Sequence, residues 1–106
     1  MKKNSGLVLV AAMAAFTLPA VAQSSGADTY HSKCLMCHAA DGSGNTPAGK
    51  AMKAPSFLTP AAVKEPTANL IAITTTGKGK MPAYSGKLTD AQIKDVVAYI
   101  RTLQKK

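Results

Sequence analysis

The chain of 106 residues contains no tryptophan, two phenylalanines and three tyrosines, so aromatics make up only 5% of it. Hydrophobic residues reach 46%, but large side chains are too few to fill even a small interior well. Domains of this size bury a modest share of their surface and commonly need a staple. Only two cysteines are present, and no second Cys/His pair completes a structural zinc site, which draws on two separated pairs. No strand-like alternation and no internal repeat occurs, so the strand–helix–strand setting of a thiol–disulfide oxidoreductase is missing. Acidic residues are scarce, with five Asp and Glu against 13 Lys and Arg and a formal charge of +8. The basic residues are scattered and few aromatics interleave with them, which argues against a nucleic-acid surface. Nor does any apolar run reach the roughly 20 residues of a membrane-spanning helix. The longest, Leu7 to Ala22, has 16 residues and is interrupted by Thr17 and Pro19.

That run reads instead as a bacterial export signal. Lys2 and Lys3 form a basic start, Leu7 to Phe16 is unbroken and apolar, and Ala20-Val21-Ala22 supplies a small-x-small cleavage pattern. Residues 1–22 are therefore expected to be removed, leaving residues 23–106 as one domain in the periplasm. No cysteine near the cut offers a lipid anchor, so no stable membrane insertion is expected afterwards. The mature chain has 11 Lys and Arg less 5 Asp and Glu, or +6. Outside the cytoplasm a free thiol pair would oxidise, so both cysteines need a role.

Cys34-Leu35-Met36-Cys37-His38 provides one. Two cysteines separated by two residues and followed at once by histidine read as a c-type haem attachment site. Each thiol forms a thioether to one vinyl group, and the adjacent imidazole binds iron from the same side. The spacing places all three on one helical turn beside a flat macrocycle. Such a group, haem c, would also supply the apolar bulk that the composition lacks.

The opposite face of the iron calls for a second ligand. Gly77-Lys78-Gly79-Lys80-Met81-Pro82-Ala83-Tyr84 is the candidate segment. A thioether is a soft ligand suited to haem iron. The two glycines allow close backbone approach, and Pro82 pushes Met81 toward an extended backbone. Met36 lies inside the attachment loop on the histidine side. Met52, in Lys-Ala-Met-Lys, reads as a gap-filler or surface residue, and His31, one turn before Cys34, as a solvated helix histidine.

Around these residues the elements are helical. Ser25 with Asp28 starts a first helix carrying Ala27 and Tyr30 toward Cys34. A breaker-rich loop follows from Asp41 to Pro60, with a short turn at Ala61 to Lys64. Thr67 begins a helix bearing Leu70, Ile71 and Ile73 that stops at Gly77. Thr89 and Gln92 form a capping box, and Leu88 with Ile93 a hydrophobic staple, for a last helix. Its apolar stripe is Ile93, Val96, Val97, Ile100 and Leu103. The fold class is all-α.

Together these features resemble the class I cytochromes c, the small monohaem bacterial forms, over essentially residues 24–106. The resemblance rests on Cys34-Leu35-Met36-Cys37-His38, on Lys80-Met81-Pro82-Ala83-Tyr84 and on the closing helix. It implies a cytochrome c fold, three to five short helices around one covalent haem, with His38 and Met81 as axial ligands. It also implies a glycine–aromatic helix crossing, matched by Gly26 and Tyr30 with Val96 and Tyr99. A backbone carbonyl that orients the histidine is expected from Pro47 or Pro55, with Tyr84 and Ser56 as guesses for propionate partners. Such an iron has no vacant site, so the function expected is one-electron transfer by a monomeric carrier, with no catalytic residue. Lys33, Lys53, Lys78, Lys80 and Lys87 would ring the haem edge and steer an acidic redox partner: a respiratory complex, a terminal oxidase or a periplasmic dehydrogenase. The alternatives are a dedicated haem subunit of a periplasmic oxidoreductase, or an open-site haem protein with peroxidase-like or gas-binding activity.

Overall fold

A computed structural model of the protein describes residues 25–106. The expected export signal and its cleavage point lie outside them. Six helical segments follow in order: α1 (Gly26–Lys33), α2 (Leu35–His38), α3 (Pro47–Met52), α4 (Pro60–Lys64), α5 (Thr67–Thr76) and α6 (Asp90–Leu103). Among the described residues, β-type pairing is confined to the isolated bridges Lys78–Met81 and Ser85–Leu88, so the expected all-α class holds.

The organising element is α6. Thr89 accepts the Gln92 backbone N–H at 3.1 Å while the Gln92 side chain accepts that of Thr89 at 2.9 Å, closing the expected capping box. Every residue of its apolar stripe is buried: Ile93, Val96, Val97, Ile100 and Leu103. Each contributes about 1.5–3 kcal/mol of hydrophobic stabilisation when fully covered. Against this stripe pack α1 and α5, and Tyr30 joins the same cluster with no exposed surface.

Close approach of α1 to α6 depends on Gly26. A β-carbon there would collide with the Asp95 carbonyl and sit 3.2 Å from Tyr99 Cβ. Beside the crossing, the Tyr30 and Tyr99 ring centroids lie 5.2 Å apart, which is the expected glycine–aromatic contact. At the end of α5, Thr74, Thr75 and Thr76 each return a hydroxyl to the carbonyl four residues back. The threonine run thus stays helical, and Gly77, at φ 77°, stops it as expected.

Two segments differ from the expected outline. The turn at Ala61–Lys64 is a helix begun by Pro60 and capped by Thr59. Within the expected loop, Pro47–Met52 is also helical, with Thr46 accepting the Gly49 N–H at 2.9 Å. Proline at the first helical position costs no hydrogen bond and presets φ. Breaker residues are therefore compatible with a helix at this point.

Candidate haem site

The attachment motif is built at a helix junction. Cys34 ends α1 and begins α2, its N–H donating to the Tyr30 carbonyl at 2.8 Å. One turn later the His38 N–H returns to the Cys34 carbonyl at 2.9 Å. The two thiols and the imidazole thus share the single turn that the spacing predicts. Thr46 braces it from α3, donating to the Met36 carbonyl at 2.6 Å. Gly49 is packed so tightly that a β-carbon would collide with the Cys37 carbonyl. Burial pushes the Cys34 thiol up to about 11, with Cys37 adding to the effect. At neutral pH this free thiol is protonated.

His38 is buried, and burial holds its pKa below the ordinary imidazole value, with the Pro55 carbonyl beside the ring opposing that shift. A neutral imidazole is the form that binds a metal. Pro55, rather than Pro47, supplies the carbonyl at this ring; Pro47 begins α3 instead. Even so, Nδ1 makes no contact that meets hydrogen-bond geometry and stands as a buried, unpaired polar atom. Phe57 lies against the imidazole, with centroids 4.4 Å apart and planes 18° from parallel. Sequence reasoning overlooked Phe57; the signal available was its rarity, as one of two phenylalanines, two residues after Pro55.

Cys34, Cys37, His38 and Met81 all line one cleft of about 970 Å³. Its floor includes Leu70, Val96 and Ile100. A largely apolar recess near the top of the roughly 300–1,000 Å³ range of cofactor sites, with two thiols and a buried imidazole at one wall, fits a haem. The Met81 segment is braced by mutual backbone bonds with Lys78 at 3.0 and 3.2 Å, and by Tyr84 N–H donating to the Thr74 carbonyl at 3.0 Å. Gly77 gives the loop room to close, since a β-carbon there would sit 2.7 Å from the Met81 carbonyl.

The remaining candidates separate clearly. Met36 is 77% exposed and Met52 50%; Met52 also touches the cleft, from the end of α3, the helix packed on α2. His31 is exposed, with Nδ1 2.7 Å from the Ala27 carbonyl, as expected of a solvated helix histidine. Lys33, Lys53, Lys78 and Lys80 line the cleft, while Lys87 lies 5.7 Å from the Tyr84 ring centre. Tyr84 and Ser56 both line the cleft. The Tyr84 hydroxyl donates to the Lys33 carbonyl at 3.0 Å, tying the methionine loop to the attachment helix.

Residues 21–100 match the family described as cytochrome C oxidase, cbb3-type, subunit III. Cytochrome c6 of a Nostoc species is 38% identical over 105 residues, spanning 94% of this chain and 92% of its own. Cytochrome c6 of a Picosynechococcus species is 36% identical over 104 residues, spanning 89% and 86%. The chain belongs to the small class I c-type cytochromes. Among solved structures, the KustC0563 c-type cytochrome superposes with a TM-score of 0.69 at 26% identity, covering 76% of this chain and 98% of its own. Cytochrome c6 of the diatom Phaeodactylum tricornutum gives 0.58 at 26% identity, covering 76% and 91%. As a class I cytochrome the protein holds one covalently bound haem c with its iron, and it is an electron carrier rather than an enzyme.

Proposed function

We propose that Cys34 and Cys37 hold the haem by thioether bonds, that His38 and Met81 are its axial ligands, and that the protein is an exported one-electron carrier of a periplasm-like space. What supports this reading is that one cleft is lined by all four side chains, three from the α2 turn and one from the loop between α5 and α6. When bound, haem c supplies reversible one-electron chemistry at iron. The chain's own work is to hold two ligands in place, keep water off the ring and present a docking face.

Met81 is preferred over Met52 for a geometric reason. Met52 ends α3, which packs on the histidine-bearing α2, so it approaches from the side already taken by His38. Met81 belongs to a separate loop anchored on α5. Filling both axial positions leaves no site for substrate, which is the arrangement a pure carrier needs. Lys33, Lys53, Lys78 and Lys80 at the cleft form a basic rim that speeds association with an acidic redox partner at low salt. That partner is a respiratory complex, a terminal oxidase or a periplasmic dehydrogenase.

A second reading, as a dedicated haem subunit, draws on the exposed apolar side chains Met36, Leu58 and Val63 and on the oxidase-subunit family matched by residues 21–100. Absorption spectra of the haem-loaded protein, oxidised, reduced, and reduced with carbon monoxide, test the principal reading. A low-spin c-type spectrum indifferent to carbon monoxide is expected. Rapid carbon monoxide binding would refute the closed His38/Met81 iron. Isolation of the native protein in a stable stoichiometric complex would favour the subunit reading over the free carrier.

A further inference from the structure

We propose that Tyr84 is a positioning residue for Met81, its hydroxyl tying the methionine-bearing half of the domain to the start of the turn that carries His38. The inference rests on the reading of Met81 as the sixth iron ligand. The two halves meet chiefly through the last helix, since α1 and α5 both pack on α6. Away from α6, the Tyr84 hydroxyl donates to the Lys33 carbonyl at 3.0 Å, across 51 residues of chain. Among the described residues this is the one hydrogen bond that runs directly from residues 25–58 to residues 66–88.

Both ends of this bond are fixed. The Tyr84 N–H donates to the Thr74 carbonyl at 3.0 Å and the Ser85 N–H to the Thr75 carbonyl at 3.1 Å, which pins the backbone on the last turn of α5. The Tyr84 carbonyl accepts from the Lys87 and Leu88 N–H groups at 3.0 and 2.9 Å. A phenol turns on only two torsions, so the hydroxyl is the tip of a short, stiff arm. At the far end, Lys33 is the last residue of α1, where carbonyls run out of partners within the helix. It immediately precedes Cys34, so the arm reaches the attachment turn itself. Met81 lies three residues before Tyr84, in a loop whose other end is held by the Gly77 N–H on the Ile73 carbonyl at 2.8 Å. The loop therefore hangs from α5 at two points, and the Tyr84 hydroxyl sets how far that assembly stands from the histidine side. A neutral thioether holds iron without help from charge, so its bond depends on that span staying fixed.

The bond is exposed, so breaking it strands no buried polar group and should change global stability little. Its effect should be read instead in how often Met81 leaves the iron. Tyr84→Phe removes the hydroxyl and keeps the ring, over which Lys87 sits 5.7 Å from the centre. Added imidazole can bind the haem-loaded ferric protein only once the sulfur has left. It is expected to bind Tyr84→Phe about fivefold faster than the parent, the share of one net hydrogen bond. The Met81 methyl resonance in the NMR spectrum of the haem-loaded protein should move as well. Thr89→Ala, which removes the cap of α6, should lower the melting temperature more than Tyr84→Phe does and leave rate and resonance in place. If Tyr84→Phe changes rate and resonance no more than Thr89→Ala does, the bond is merely structural and the proposal is overturned. A parent protein that binds imidazole as fast as Met81→Ala would instead overturn Met81 as the sixth ligand.

Discussion

The Tyr30 hydroxyl donates a 2.6 Å hydrogen bond to the Ala39 carbonyl, the residue immediately after His38. One fully buried side chain on α1 thus joins the α1–α6 core to the backbone that carries the histidine. Burial raises the Tyr30 pKa well above its ordinary value. The folded state therefore holds this proton more tightly than the unfolded chain does. The resulting stabilisation is complete below the unfolded tyrosine pKa of about 10 and is lost as pH rises past it toward the folded value.

Tyr30→Phe should lower stability by about 1–2 kcal/mol at neutral pH, because the Ala39 carbonyl is left buried without its donor. It should also remove Tyr30's share of the decline above about pH 10. Denaturant unfolding at pH 7 and above pH 10 checks both. A variant with the same alkaline decline as the parent would show that Tyr30 is not the group responsible.

Gly26→Ala normally strengthens a helix by about 0.5–1 kcal/mol. Here the sign should reverse, because the new β-carbon meets the Asp95 carbonyl and Tyr99. Overpacking of this kind costs about 1–3 kcal/mol, read as a lower midpoint in thermal or urea unfolding. A rise in the midpoint would mean that α1 and α6 separate at little cost.

Replacing the proposed sixth ligand, Met81→Ala, should leave the haem covalently attached and make the reduced protein bind carbon monoxide. Met52→Ala should leave carbon monoxide behaviour unchanged, although Met52 also borders the cleft. Stopped-flow spectra of the two variants decide between them, and the reverse pattern would reassign the ligand to Met52.

Loss of the haem should be felt throughout the domain. Cys34→Ser combined with Cys37→Ser should abolish haem staining on a denaturing gel and, with it, cooperative melting. Without the ring, a cleft of about 970 Å³ bordered by the half-buried Leu70 and Ile73 is left to water. A haem-free double variant with a sharp helical melting transition would show that the cluster of Tyr30, Val96, Val97, Ile100 and Leu103 suffices alone.

What the sequence determined by itself was the local chemistry. The grouping of Cys34, Cys37 and His38 is legible because it depends only on spacing within one turn. The α6 stripe and the Thr89–Gln92 box are legible because a 14-residue amphipathic helix states its period and its start directly. Gly77 is legible as a stop because few other residues take its backbone angle without strain.

Only the tertiary structure decided the rest. Pro47–Met52 is helical because Thr46 caps it and Gly49 packs against the attachment turn. Isolated helices this short are marginal in water, so no local pattern announces one. The choice of Pro55 over Pro47 beside His38, the stacking of Phe57 and the reach of Arg101 across 36 residues to the Glu65 carbonyl all join parts of the chain that share no periodicity. Contacts of that kind arise only when the packed helices bring distant backbone together, and nothing in the neighbouring residues encodes them.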